Sequence, residues 1–86
     1  MVAGFKERQI EMSAVESSNI HSIGYSPAKA RIFVRFNDGM RLYMYDPCPP
    51  VVWLGLLYST SKGSYLHTQI VPYFRCTRAK EGDLNA

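Results

Sequence analysis

The run RIFVRFNDGMRLYMYD, Arg31 to Asp46, constrains the fold more than any other part of the chain. Two stretches rich in β-branched and aromatic residues alternate with period two on either side of Asn37-Asp38-Gly39, the pattern of a β-hairpin. The loop length decides which side chains share a face. A two-residue loop would set Val34 across from Tyr43 and mix the two alternating sets. A three-residue loop, with Asn and Asp in a type I turn and Gly in the left-handed region, pairs Phe36 with Met40, Val34 with Leu42 and Phe33 with Tyr43. This register is the expectation. It collects Ile32, Val34, Phe36, Met40, Leu42 and Met44 as a core face and turns Arg31, Phe33, Arg35, Arg41, Tyr43 and Tyr45 the other way.

The flanking segments supply the remaining layers. Residues 1–11 have neither a strand nor a helix pattern and read as a flexible lead-in. Within MSAVESSNIHSIGY, apolar pairs surround a polar cluster, which predicts a brief extended segment, a turn, and a strand near Ile20 to Tyr25. Asp46-Pro47-Cys48-Pro49-Pro50 ends the hairpin, because proline removes ladder donors and fixes φ. Pro50 suits the first turn of an apolar helix, VVWLGLLYS. Ser61 reads as the N-cap of a second short helix with Tyr65, Leu66 and Ile70 turned inward, and Pro72 stops it. The expected fold is α+β: a small antiparallel meander of three to four strands with two short helices packed on its even-residue face. The domain spans residues 12–74, and residues 75–86 read as a polar, mobile tail.

Composition sets the class. Eighty-six residues, 47% of them hydrophobic, make one small domain near the lower size limit for a self-sufficient core. The formal charge of +3 favours anionic partners weakly. Cys48 and Cys76 form neither a disulfide framework nor a zinc-ligand spacing. Charged residues interrupt the first dozen positions where a signal peptide needs an apolar run, and no apolar stretch approaches the roughly 20 residues of a membrane span. A soluble, cytoplasmic chain is the expectation.

SSNIHSIGY, the hairpin with DG at its turn, the spacing of Tyr43 and Tyr45, the proline-led apolar helix, and Ser61-Lys62-Gly63 followed by Tyr65 and Ile70 together resemble the KTSC domain. That family takes its name from the C-terminal part of some lysyl-tRNA synthetases and also occurs as short stand-alone proteins in bacteria and phages. The resemblance runs from Met12 to Phe74. The chain departs from it at His67, where members often carry asparagine, and at Cys48, where valine is usual before the proline. The synthetase attachment implies RNA as a partner.

Three sites compete as functional centres. On the odd-residue face, Arg31, Arg35 and Arg41 would neutralise phosphates while Phe33, Tyr43 and Tyr45 stack unpaired bases. The plainer reading is that aromatic residues suit strands and arginines lie over their rings. Lys62, in Ser61-Lys62-Gly63, would add an anion contact, although a capped helix with a solvated lysine accounts for the same residues. Trp53, on a helix apolar nearly all round, suits a protein interface or a homodimer, against core packing as the alternative. His21, His67, Ser22, Cys48 and Asp46 have no triad context, and the two histidines and two cysteines give no local ligand pair. The expectation is therefore a non-catalytic binding module, without cofactor or metal. Its partner would be nucleic acid, RNA favoured, or alternatively a host protein met by a phage-encoded regulator or inhibitor.

Overall fold

The structure, a computed structural model, describes residues 9–85. Five antiparallel strands lie side by side in chain order: β1 (Ser13–Ala14), β2 (Ile20–Ser26), β3 (Arg31–Phe36), β4 (Leu42–Asp46) and β5 (Arg75–Arg78). Two helices, α1 (Pro50–Tyr58) and α2 (Lys62–Tyr65), join β4 to β5, and α2 runs on as a π-helical turn over Leu66–Ile70. Pro50 opens α1 as its sequence position predicts, and the Ser64 N–H donates to the Ser61 hydroxyl at 3.2 Å to cap α2. The class is α+β with two helices, and the sheet has one strand more than the largest number expected. Among the described residues no helix is long and apolar enough to cross a membrane.

The hairpin loop is four residues long, not three. The Phe36 N–H donates to the Arg41 carbonyl at 2.9 Å, and β3 pairs with β4 as Val34 with Tyr43 and Phe33 with Met44. Gly39 and Met40 both take left-handed backbone, with φ of 68° and 52°. The second of these absorbs the extra residue at a non-glycine position, which no turn propensity favours. Because side chains alternate, this one-residue change moves all of β4 to the opposite face from that expected. Ile32, Val34 and Phe36 therefore share a face with Tyr43 and Tyr45, while Arg31, Phe33 and Arg35 share the other with Leu42 and Met44.

Both faces are covered. The helices bury Ile23, Ile32, Val34 and Tyr45 against Cys48, Leu56, Leu66 and Ile70. On the reverse, Phe33 and Leu42 are buried under Ala79 and Leu84, with Ile10, Met12 and Met44 packed around them. The helices thus cover odd positions of β4 and even positions of β3, and the single even-residue core face does not form. The second layer comes from the two ends of the described chain. The Ile10 N–H donates to the Leu84 carbonyl at 2.6 Å, and Gln9 forms a bridge with Asn85. Residues 75–85, read as a tail, instead carry β5 and a 3-10 turn at Glu81–Leu84 that brings Leu84 inward. The expected lead-in lies partly outside the described residues, and its last part crosses the sheet. Gly24 permits that crossing, since a Cβ there would fall 2.7 Å from Met12 Sδ and 2.8 Å from the Glu11 carbonyl oxygen.

Phe33→Ala removes a fully buried ring from the second layer and is expected to cost about 3–5 kcal/mol of stability in denaturant titration. An unchanged midpoint would mean that the ring is not packed there. Cys48 has no solvent exposure, and burial, with the Asp46 charge nearby, pushes its thiol up to about 11. Burial also raises Tyr25 and Tyr45. All three groups favour their protonated forms in the fold. The Cys48 contribution is complete below the unfolded thiol value near 9.0 and is lost as pH rises through about 11. Alkaline melts should show Cys48 accounting for about 2–3 kcal/mol of that loss. Exposed Cys76 should react with a thiol reagent in the native protein, and Cys48 only on unfolding.

Candidate functional site

The register disperses the expected cationic and aromatic face. Phe33 has no exposed surface and Tyr45 is buried among the helices on the opposite side of the sheet. Arg31 Nε lies 2.7 Å from the Asp46 carboxylate. The Arg35 guanidinium sits 2.9 Å from Glu81 and donates to the Met40 carbonyl at 3.1 Å. Each cation is partnered along the second layer, where it closes the rim of the terminal segments. These four residues form no common open platform.

Arg41, which lies 3.7 Å from the Asp38 carboxylate, and Tyr43 are placed differently. With Phe36 and Asn19 they line a pocket of about 270 Å³ at the loop end of the hairpin. Phe36 and Tyr43 meet edge to face, with centroids 5.7 Å apart and planes at 72°. Arg78, brought alongside by β5, lies 5.6 Å from the centre of the Tyr43 ring. A cationic and aromatic site therefore exists, built on Phe36, Tyr43, Arg41 and Arg78. Phe36 and Arg78 were not legible as site residues, because the loop length hid the first and the tail reading hid the second.

A second, larger cleft of about 470 Å³ opens beside it between the β1–β2 turn and the start of α2. Ser17, Ser18 and Asn19 form one wall, and Ser61, Lys62 and Ser64 belong to the other. Glu16 and His67 also reach it, so one of the two positions at which the chain departs from the family pattern lies on this cleft. Lys62 is held by its ammonium group donating to the Ser59 carbonyl at the end of α1. Gly63 gives the walls their spacing: a Cβ there would stand 3.1 Å from Asn19 Oδ1. Asn19 belongs to both cavities. Its backbone carbonyl accepts from the Asn37 N–H at 2.9 Å, and the Asn37 amide donates to Ser18 at 3.3 Å, so the turn is tied to the hairpin loop. Around the two cavities Arg41, Lys62 and Arg78 face Glu16 and Asp38, an excess of one positive charge.

Trp53 is half-buried and stacks on Tyr25, with centroids 5.4 Å apart and planes at 6°. The outward apolar residues of α1 are Val51, Leu54 and Tyr58. His21 Nδ1 lies 3.0 Å from the Ser22 hydroxyl, and Asp46 is engaged by Arg31. Among the described residues no three His, Cys, Asp or Glu side chains group as metal ligands.

The comparisons with known proteins agree with this architecture. A protein from Tsukamurella paurometabola is 39% identical over 64 residues, covering 74% of this chain and 94% of its own. An uncharacterized protein from Stutzerimonas stutzeri is 36% identical over 59 residues, covering 69% and 82%. The crystal structure of a KTSC domain protein from Yersinia pestis superposes with a TM-score of 0.77 at 27% identity, over 83% of this chain and 99% of that one. The KTSC domain model matches residues 16–74, a span that contains both walls of the polar cleft and the aromatic pocket. The chain belongs to the KTSC domain family.

Proposed function

We propose that this protein is a non-catalytic binding module for single-stranded nucleic acid, with RNA as the leading partner, and that it binds at the paired cavities. The observation carrying this reading is that an aromatic pocket flanked by arginines opens directly beside a polar cleft containing Lys62, with Asn19 shared between them. Aromatic faces stack any unpaired base, and neighbouring cations neutralise its phosphates. Polar walls alone would suit many small solutes. The Tyr43 and Phe36 rings beside them favour a ligand with a flat face and a polar tail.

A protein partner is the second reading, favoured by the exposed face of α1. Val51 is 71% exposed, Leu54 47% and Tyr58 78%, and no charged residue lies on this helix. The two readings respond oppositely to salt. Three cations give a log–log salt slope of about −2 for a single strand, whereas apolar docking is nearly salt-independent.

Titration of labelled single-stranded RNA at two salt concentrations tests the first reading. Tyr43→Ala is expected to weaken binding by about 1–3 kcal/mol. Arg41→Ala, at an exposed position, should reduce the salt slope without lowering stability. Unchanged affinity in a folded Tyr43→Ala protein would remove the stacking site. Binding that is lost with Leu54→Glu and indifferent to salt would favour the protein reading.

A further inference from the structure

Resting on that reading of the site, we infer that the unit bound across the two cavities is an unpaired ribonucleotide, its base in the aromatic pocket and its 2′-hydroxyl in the hydroxyl-lined cleft. The cavities differ in chemistry and share one wall. Tyr43 and Phe36 bound the smaller, which suits a ring stacked on an aromatic face. Ser17, Ser18, Thr60, Ser61 and Ser64 line the larger, a concentration of groups that both donate and accept hydrogen bonds. A base and its sugar are joined by a single bond, so they occupy adjoining cavities without a spacer. Hydroxyl walls distinguish ribose from deoxyribose because only ribose presents a hydroxyl at the 2′ carbon.

Asn19 stands where base and sugar meet. The Ser17 hydroxyl donates to its Oδ1 at 3.2 Å, and Ser17 in turn accepts from the Ile20 N–H at 3.3 Å. Gly63 leaves room on the opposite side, a Cβ there falling 3.1 Å from Oδ1 and 4.0 Å from Nδ2. Asn19 is exposed and lines both cavities, and among the described residues no acceptor takes its amide N–H groups, which are free to donate to a ligand. The hydrogen bond from Ser17 restrains the side chain before any ligand arrives, which lowers the ordering that opposes the contact. Asn19 is thus the residue that reads the sugar, while Tyr43 holds the base.

The test compares single-stranded RNA and DNA of one sequence, and RNAs carrying one 2′-deoxy substitution at successive positions, on the wild-type protein and on Asn19→Ala and Tyr43→Ala. RNA should bind about tenfold tighter than DNA, the worth of a single hydrogen bond to the sugar. One deoxy position should account for most of that difference. Asn19→Ala should shrink the ratio by weakening RNA alone, and Tyr43→Ala should weaken both polymers alike. Equal affinity for RNA and DNA, still dependent on Tyr43, would overturn the ribose assignment and leave the nucleic-acid reading standing. Asn19→Ala weakening both polymers equally would also overturn it. Binding of neither polymer would overturn the reading of the site and this inference together.

Discussion

The central strands of the sheet are covered on both sides, and most of the structure depends on how the second side is closed. Phe33 lies fully buried on that side, where no helix reaches it. Ala79 and Leu84 cover it from one end of the described chain, while Ile10 and Met12 approach from the other. Small residues on β2 make the approach close: Ser22, Gly24 and Ser26 stand on that face, opposite Arg35, Phe33 and Arg31. The arginines then extend under the covering segments and pair with Asp46 and Glu81 at the rim. These partly exposed pairs add modestly to stability. The apolar contacts beneath them carry most of the layer's stability.

A doubly covered sheet also explains what was legible in the residues. The strands around Asn37-Asp38-Gly39, the opening of α1 at Pro50 and the Ser61 cap were readable because each rests on local chemistry. Register was not. Deciding it from the apolar pattern assumes that one face is wet, and here both alternating sets carry large apolar side chains to cores. Met40 in left-handed backbone gave no compositional warning. Arg75-Cys76-Thr77-Arg78 gave none either: all four residues are exposed, and backbone pairing to β4 holds them in place. Of the residues first considered for a nucleic-acid face, Arg41, Tyr43 and Lys62 line the paired cavities. The reverse layer takes Arg31, Phe33 and Arg35, and the helix-side core takes Tyr45.

The same extra loop residue that displaced the expected face creates the pocket. It sets Tyr43 on the side of Phe36, so two rings meet at the end of the hairpin beside the β1–β2 turn. Asn37 then ties that turn to the loop through its backbone and its side chain. The wall that the two cavities share is therefore tied to the hairpin loop. Such a site is organised before it meets a ligand, and less freedom is lost on binding.

The closing of the reverse layer also has an order in time. A ribosome delivers Phe33 and Leu42 before Ala79 and Leu84, so until the later residues dock the reverse side of the sheet lacks that part of its cover. Contacts as distant in sequence as Ile10 with Leu84 close a long loop and carry a correspondingly large closure entropy. Until the layer closes, the nascent chain presents an aromatic ring between two arginines, a surface that the finished protein withdraws.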